Sequence, residues 1–405
     1  MGCPKLTVEP FAKAISNPYT LTPILPSILD DLMHKLIASL ILLAAFSAHC
    51  VWQWQGRLPI PEPASIQSQH QDARQAQGKA EDGPYVLWEG ESATVHWIRG
   101  GKHIVEKNNA PFTLPIPALG PAAKVLLDGR PYAPAVAELP KAKKIFAISD
   151  VHGRLDAMRD LLVAHKVMNG EGRWTFGNGH LVVNGDIADR GDMVTESYWL
   201  LRCLEVGARA AGGGVHMTIG NHEAMMMTGD LRYVNPSYMK QTDGIPDFAQ
   251  LWGPQSELGR WLRSLPALLK IGDLLFVHGG VSPEFISRGL DIQSANKEMQ
   301  MLPRAERDGL NAFLHSSSGP IWYRGMVLGD QRDSITQPDL EKVLAHFGVK
   351  RIVVGHTTVD TVTALHGGKV IAIDAGMQLG KREGAYFENG KAYRALADGS
   401  KVEMK

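Results

Sequence analysis

Cysteine is nearly absent: Cys3, Cys50 and Cys203 are the only three in 405 residues. That excludes a disulfide framework and a cysteine-ligated zinc site. Net charge is missing as well, because 42 Lys and Arg offset 42 Asp and Glu. No global field draws the chain to nucleic acid or to an anionic membrane, and no basic stripe accompanies the aromatic residues. Affinity for phosphate must therefore come from a local site. There is no internal repeat, which excludes solenoids and propellers. Long apolar runs are scarce; Leu36 to Ala48 is almost wholly apolar but too short for a confident membrane span. What is present is 44% hydrophobic content, enough for one large domain with appendages.

Met1 to Asp31 is poorly patterned and dotted with prolines. Leu6 stands where N-myristoylation needs Ser or Thr, so that reading fails. Met33-His34-Lys35, the apolar run and the small residues Ala45, Ser47 and Ala48 read as a secretory signal peptide over 33–48. Met33 is then the expected initiator, with 1–32 an artefact of start-site assignment. The alternative is a signal anchor, with membrane contact through 33–52. The expected location is periplasmic or secreted, and in that setting Cys50 and Cys203 become candidates for pairing. His49 before Cys50 does not fit a lipoprotein box. Residues 49–82 read as a linker, rich in Pro, Gln, Ser and Ala from Pro61 onward.

From Gly83 the texture is β-type, and 83–139 reads as a small β module. Tyr85 to Trp88, Thr94 to Ile98 and His103 to Val105 are strand-like, with a turn at Gly100-Gly101. Tyr85, Trp88 and Trp97 suit the core of such a sheet or, alternatively, a binding face. From Lys143 the rhythm becomes strand, helix, strand, which implies a layered α/β domain over 143–396. Met225 to Gln250 breaks that rhythm and reads as an insertion, and 397–405 as a tail.

Five short motifs end predicted strands. The first is Asp150-x-His152-Gly153, after Phe146-Ala147-Ile148. The second is Gly185-Asp186-x-x-Asp189-Arg190-Gly191, and the third Gly220-Asn221-His222-Glu223. The last two are His278-Gly279-Gly280 and Gly355-His356. Each pairs a hard ligand type with a glycine at a strand-to-loop break, where open α/β sheets bind ligands. Asp150, His152, Asp186, Asn221, His278 and His356 are two carboxylates, one amide and three imidazoles, a set suited to two borderline-hard divalent ions.

This series resembles the calcineurin-like metallophosphoesterase superfamily. The Asp-Arg-Gly and Asn-His-Glu endings resemble its phosphoprotein phosphatase branch. Pro320-Ile321-Trp322-Tyr323-Arg324-Gly325 and Ile373-Asp374-Ala375-Gly376 are similar to bacterial Shewanella-like phosphatases. The resemblance covers roughly 143–396 and implies an α/β fold with a central β-sandwich flanked by helices, preceded here by the small β module.

It also implies a phosphomonoester hydrolase acting on phosphoproteins, on Ser/Thr or Tyr, with two divalent ions: manganese, iron or zinc. By the family pattern Asp186 bridges the ions, Asp150 and His152 complete one site, and Asn221, His278 and His356 the other. A hydroxide between them attacks the phosphorus. His222 is the implied general acid and Asp189 its partner, close to the metals without ligating them. Arg190, Arg324 and Asn221 are the implied phosphate-binding residues, and Asp374 is expected to orient a ligand histidine. Thr358 stands where many relatives have a second histidine in Gly-His-x-His, which favours a monoesterase over a phosphodiesterase. Symmetric hydrolysis of dinucleoside tetraphosphates and a non-catalytic phosphatase-like scaffold are the alternatives.

Overall fold

Strand-forming runs separated by glycines build the first part of the molecule. β1 (Asp82–Glu89), β2 (Ser92–Arg99) and β3 (Lys102–Asn109) form an antiparallel sheet in that order. Gly100 and Gly101 both take positive φ, as the tight turn between β2 and β3 demands. β4 (Phe112–Pro115) and β5 (Lys124–Leu127) form a second antiparallel pair. The computed structural model describes residues 78–239, 244–300, 309–329 and 333–405. All of them fall in one compact unit, Ala64–Lys405. The signal segment, the residues before it and all but the end of the linker lie outside the described residues.

The main layers follow from apolar runs short enough to be strands. They are β6 (Glu138–Leu139), β7 (Lys144–Ile148), β8 (His180–Val183), β9 (Gly214–Met217), β10 (Leu268–Ile271) and β11 (Leu274–Val277). β12 (Arg351–Val354), β13 (Thr363–Leu365), β14 (Val370–Ala372), β15 (Glu383–Glu388), β16 (Lys391–Leu396) and β17 (Lys401–Met404) complete them. One sheet has the order β17-β16-β15-β7-β8-β9, the other β13-β14-β12-β11-β10-β6. Ile145, Ala147 and Val182 from the first pack with Phe276, Val353 and Ile371 from the second in one buried cluster. Leu181, Val183, Leu275 and Ile352 belong instead to the larger core outside that layer. Strands buried on both faces read as continuous apolar runs, which is why they stood out in the sequence.

The principal helices are α1 (Leu155–Ala164), α2 (Val194–Ala210), α3 (Asn221–Met227), α4 (Glu257–Ser264), α5 (Ile292–Gln300) and α6 (Gln337–Phe347). Ser256 caps α4 by accepting from the Gly259 N–H, and Thr336 caps α6 by accepting from that of Asp339. Among the described residues no helix is long and apolar enough to cross a membrane.

Tyr85, Trp88 and Trp97 are core residues, each no more than 3% exposed. The Trp88 indole N–H donates to Glu257 at 2.7 Å, and that of Trp199 to the Pro84 carbonyl at 3.0 Å. The β module is thereby fastened to α2 and α4. The structure differs from the sequence reading in three places. Glu138 and Leu139 pair with β10, so the end of the 83–139 module belongs to the sandwich. Met225–Met227 complete α3 and are buried, rather than opening an insertion. The 397–405 tail carries β17, which pairs with β16.

Candidate metal centre and active site

The carboxyl ends of β7, β8, β9, β11 and β12 converge, and their loops carry the five motifs. Asn184, at the end of β8, ties them together. Its amide donates to the carbonyls of Val277 at 3.0 Å and Val353 at 3.2 Å, and its Oδ1 accepts from the Thr218 hydroxyl at 2.9 Å. Glycine is required where backbones approach the ligands most closely. A methyl group at Gly220 would overlap the Asp186 carboxylate, and one at Gly355 would overlap Ser149 and Asp150. The loops are strained. Asp150, His152, Asp186, Asp189, Arg190 and His356 all have φ between 45° and 69°, each costing on the order of 1–3 kcal/mol. The surrounding hydrogen bonds hold them there.

Two groups of potential ligands form around Asp186: His152, Asp186 and His222 in one, and Asp186, His278 and His356 in the other. In each, the ligand atoms lie within 4.8 Å of one another, and every residue is buried. The His278 Nε2 is 3.1 Å from Asp186 Oδ2 and 3.0 Å from the Asn221 side-chain oxygen. The Asp150 carboxylate accepts from the Ser149 hydroxyl and from the His356 backbone N–H; it is in neither group.

The donor set fits cations. His152 Nδ1 lies 2.7 Å from the Ala188 carbonyl, to which it donates. Its Nε2 then presents a lone pair to Asp186 Oδ2 at 3.8 Å. Burial first, then the nearby His222, holds His152 well below the usual histidine pKa. His356 is held low by burial and then by Arg324, and its buried Nε2 has no hydrogen-bond partner among the described residues. Acceptors converging without donors are a coordination arrangement. His278 shows the same field from the other side. Burial would lower its pKa, yet Asp186 raises it to about 10. Asp150, Asp186, Asp189, Glu223 and Asp374 are five buried carboxylates, and Arg190 and Arg324 bring permanent positive charge into the same loops.

His222 stands beside this centre. Its Nδ1 is 2.7 Å from Asp189 Oδ2 and its Nε2 is 3.9 Å from Asp186 Oδ2. Burial opposes charging it, but Asp186 and the Asp189 hydrogen bond prevail and raise its pKa. The sequence reading kept His222 apart from the ligands; the structure sets its Nε2 in the His152–Asp186 group. Arg190 donates to the Gln378 side-chain oxygen at 2.6 Å, and Arg324 to the His356 carbonyl at 2.8 Å. Asp374 does not meet a ligand histidine through any hydrogen bond among the described residues. It accepts from the Thr358 hydroxyl at 2.6 Å and the Gly376 N–H at 2.9 Å. Backbone carbonyls orient the histidines instead: Asn184 for His278 at 2.8 Å and Ala188 for His152.

Four contributors were not singled out by the sequence. Glu223 accepts from the backbone N–H groups of Asp186, Ile187, Ala188 and Gly220 and from the Tyr198 hydroxyl, all within 3.0 Å. Its place in Asn-His-Glu was the available signal. Asn184, immediately before Gly185, was legible in the same way. Tyr233, whose ring lies 5.1 Å from that of His222, and Gln378 carry no motif.

The family model for calcineurin-like phosphoesterases matches residues 143–360. Shewanella-like protein phosphatase 2 of Arabidopsis thaliana is 27% identical over 293 residues, 60% of this chain and 74% of that protein. Shewanella-like protein phosphatase 1 of Plasmodium berghei is 26% identical over 256 residues, 61% and 70% of the two. Among solved structures, the cold-active protein-tyrosine phosphatase of a psychrophilic Shewanella species is 36% identical, with a TM-score of 0.73 over 81% of this chain and 100% of that one. With all five motif loops at one end of the two sheets, and with the family model spanning more than half of its length, this chain belongs to the calcineurin-like phosphoesterases.

Proposed function

We propose that this chain is a metal-dependent phosphatase that hydrolyses phosphomonoesters of proteins, with phosphotyrosine and phosphoserine/threonine both within its range. The observation that carries the reading is the buried His222–Asp189 pair, set against two ligand groups that share Asp186. Asp150, His152 and Asp186 would hold one divalent cation, and Asp186, Asn221, His278 and His356 a second; manganese, iron and zinc all suit these donors. Such cations supply positive charge to the phosphoryl oxygens and acidify water at neutral pH.

The chain's own residues do the rest. Asp189 holds the His222 imidazole in its protonated form, so that His222 can give a proton to the leaving oxygen. Arg190 and Arg324, with the Asn221 amide, grip the phosphoryl oxygens through charge-assisted hydrogen bonds. Gln378 fixes Arg190 and so sets where the phosphate rests. Thr358, bonded to Asp374, stands where a further histidine would serve diester chemistry.

The test is product analysis after chelation and manganese add-back. Release of inorganic phosphate from phosphotyrosine and phosphothreonine peptides is expected. Conversion of diadenosine tetraphosphate to ADP with the phosphopeptides untouched would reject it. The proposal also places the mature domain outside the cytoplasm, on the strength of residues 33–48. Mass spectrometry of the mature N-terminus checks this: a soluble cytoplasmic chain that retains those residues would refute it.

A further inference from the structure

A cavity of about 620 Å³ is lined by none of the phosphatase cluster residues. It opens beside β9, where the first sheet ends among the described strands. The ladder fixes which way the β9 backbone faces. Gly214 donates to the Gly179 carbonyl at 3.2 Å and Thr218 to that of Val183 at 3.0 Å, both toward β8. Parallel pairing alternates, so the N–H and C=O of Val215 and Met217 point the other way, into the cavity. No backbone or side-chain partner meets them among the described residues. Ile219, next on that side, donates to the Pro266 carbonyl at 2.9 Å, which closes the far end.

Across the cavity, Leu126 is 66% and Val136 67% exposed, unusually open for apolar side chains. Of the arginines at its walls, Arg202 is held by Glu205 and Tyr132, and Arg130 pairs with Asp128. The guanidinium of Arg209, exposed at the end of α2, makes no hydrogen bond and no ion pair within 4 Å among the described residues, although Glu205 is near enough to feel its charge.

We propose that this groove docks an extended polypeptide segment of a partner protein. The segment adds a strand to β9, sets alternate apolar side chains on Leu126 and Val136, and places an acidic residue at Arg209. Unpaired main-chain donors and acceptors in a row specify a β-strand rather than a helix or a small molecule. The apolar wall selects side chains at every second position, and the exposed guanidinium of Arg209 selects the charge. The inference does not depend on the phosphatase reading.

Octapeptides displayed as a random library and selected on the full chain test it, read against Val215→Pro. Proline removes the outward N–H while leaving the bonds to β8 in place, and is tolerated on the free side of an edge strand. Turnover of p-nitrophenyl phosphate should stay unchanged in V215P, which also reports that it folds. Selected peptides are expected to alternate apolar residues, carry an acid, and lose at least about tenfold in affinity on V215P, as expected for a lost main-chain hydrogen bond. The same loss is expected when alternate peptide amides are N-methylated, and bound peptide should slow hydrogen exchange at Val215 and Met217 of the wild-type protein. The N-methyl and exchange readouts decide the matter if V215P fails to fold. No enrichment, or enriched peptides indifferent to N-methylation and without effect on those two amides, would overturn the proposal.

Discussion

His222 is where the local electrostatics bear most directly on rate. Its proton is held by Asp186 and by the 2.7 Å contact with Asp189. His222→Ala should lower kcat by about 10²–10⁴-fold, the usual worth of a positioned general acid, while bound metal stays close to the wild-type amount. Steady-state kinetics paired with metal analysis checks both. Asp189→Asn removes a carboxylate that raises the His222 pKa. The alkaline limb of the kcat–pH profile should therefore move to lower pH, and an unmoved limb would remove Asp189 from this role. A second residue separates stability from activity. Burial raises Glu196 to about 7, against the opposing charge of Lys79 at 3.5 Å. A carboxyl whose folded pKa lies above its unfolded value contributes stability at low pH and loses it as pH rises toward the folded value. Glu196→Gln should thus gain relative to wild type by up to ~3 kcal/mol between pH 4.5 and 8. Denaturant titrations of both proteins at those two pH values give the difference directly.

At the scale of elements, the five strand-to-loop breaks were legible because each couples a short apolar run to a glycine that the packing requires. Gly220 and Gly355 have no room for a side chain against Asp186 and Asp150. β10 and β13 stood out less, since neither leads into one of the five motifs. The misplaced start of the insertion has a specific cause. Met225, Met226 and Met227 continue the helix that begins at Asn221, and three consecutive apolar residues carry no helical period. Asp374 was misassigned because a strand-end carboxylate does not reveal its partner; Thr358, sixteen residues earlier, proved to be the one. The β module is bound to α4 through Trp88, which is 2% exposed and bonded to Glu257. Trp88→Ala should cost about 3–5 kcal/mol of stability. kcat measured well below the melting temperature should be unchanged, since the indole touches none of the cluster. A fall in kcat without a fall in melting temperature would contradict this division.

For the whole molecule, the architecture follows from two sheets that close one core between them and meet helices outside, with the ligands gathered where parallel strands end. Chain order scatters the candidate ligands from Asp150 to His356, and the sandwich alone brings their loops together. The layered α/β class could be read from the strand–helix rhythm and the candidate ligands from the five motifs, whereas the hydrogen bonds that orient the imidazoles come from backbone carbonyls, which no side-chain pattern records. Asp186 is the residue both groups share. Metal content per chain, measured by plasma mass spectrometry on wild type and Asp186→Asn after manganese loading and desalting, tests the central claim most directly. The account predicts about two ions in the wild-type protein and a loss from both sites in the variant; an Asp186→Asn protein that keeps the full wild-type complement would contradict it.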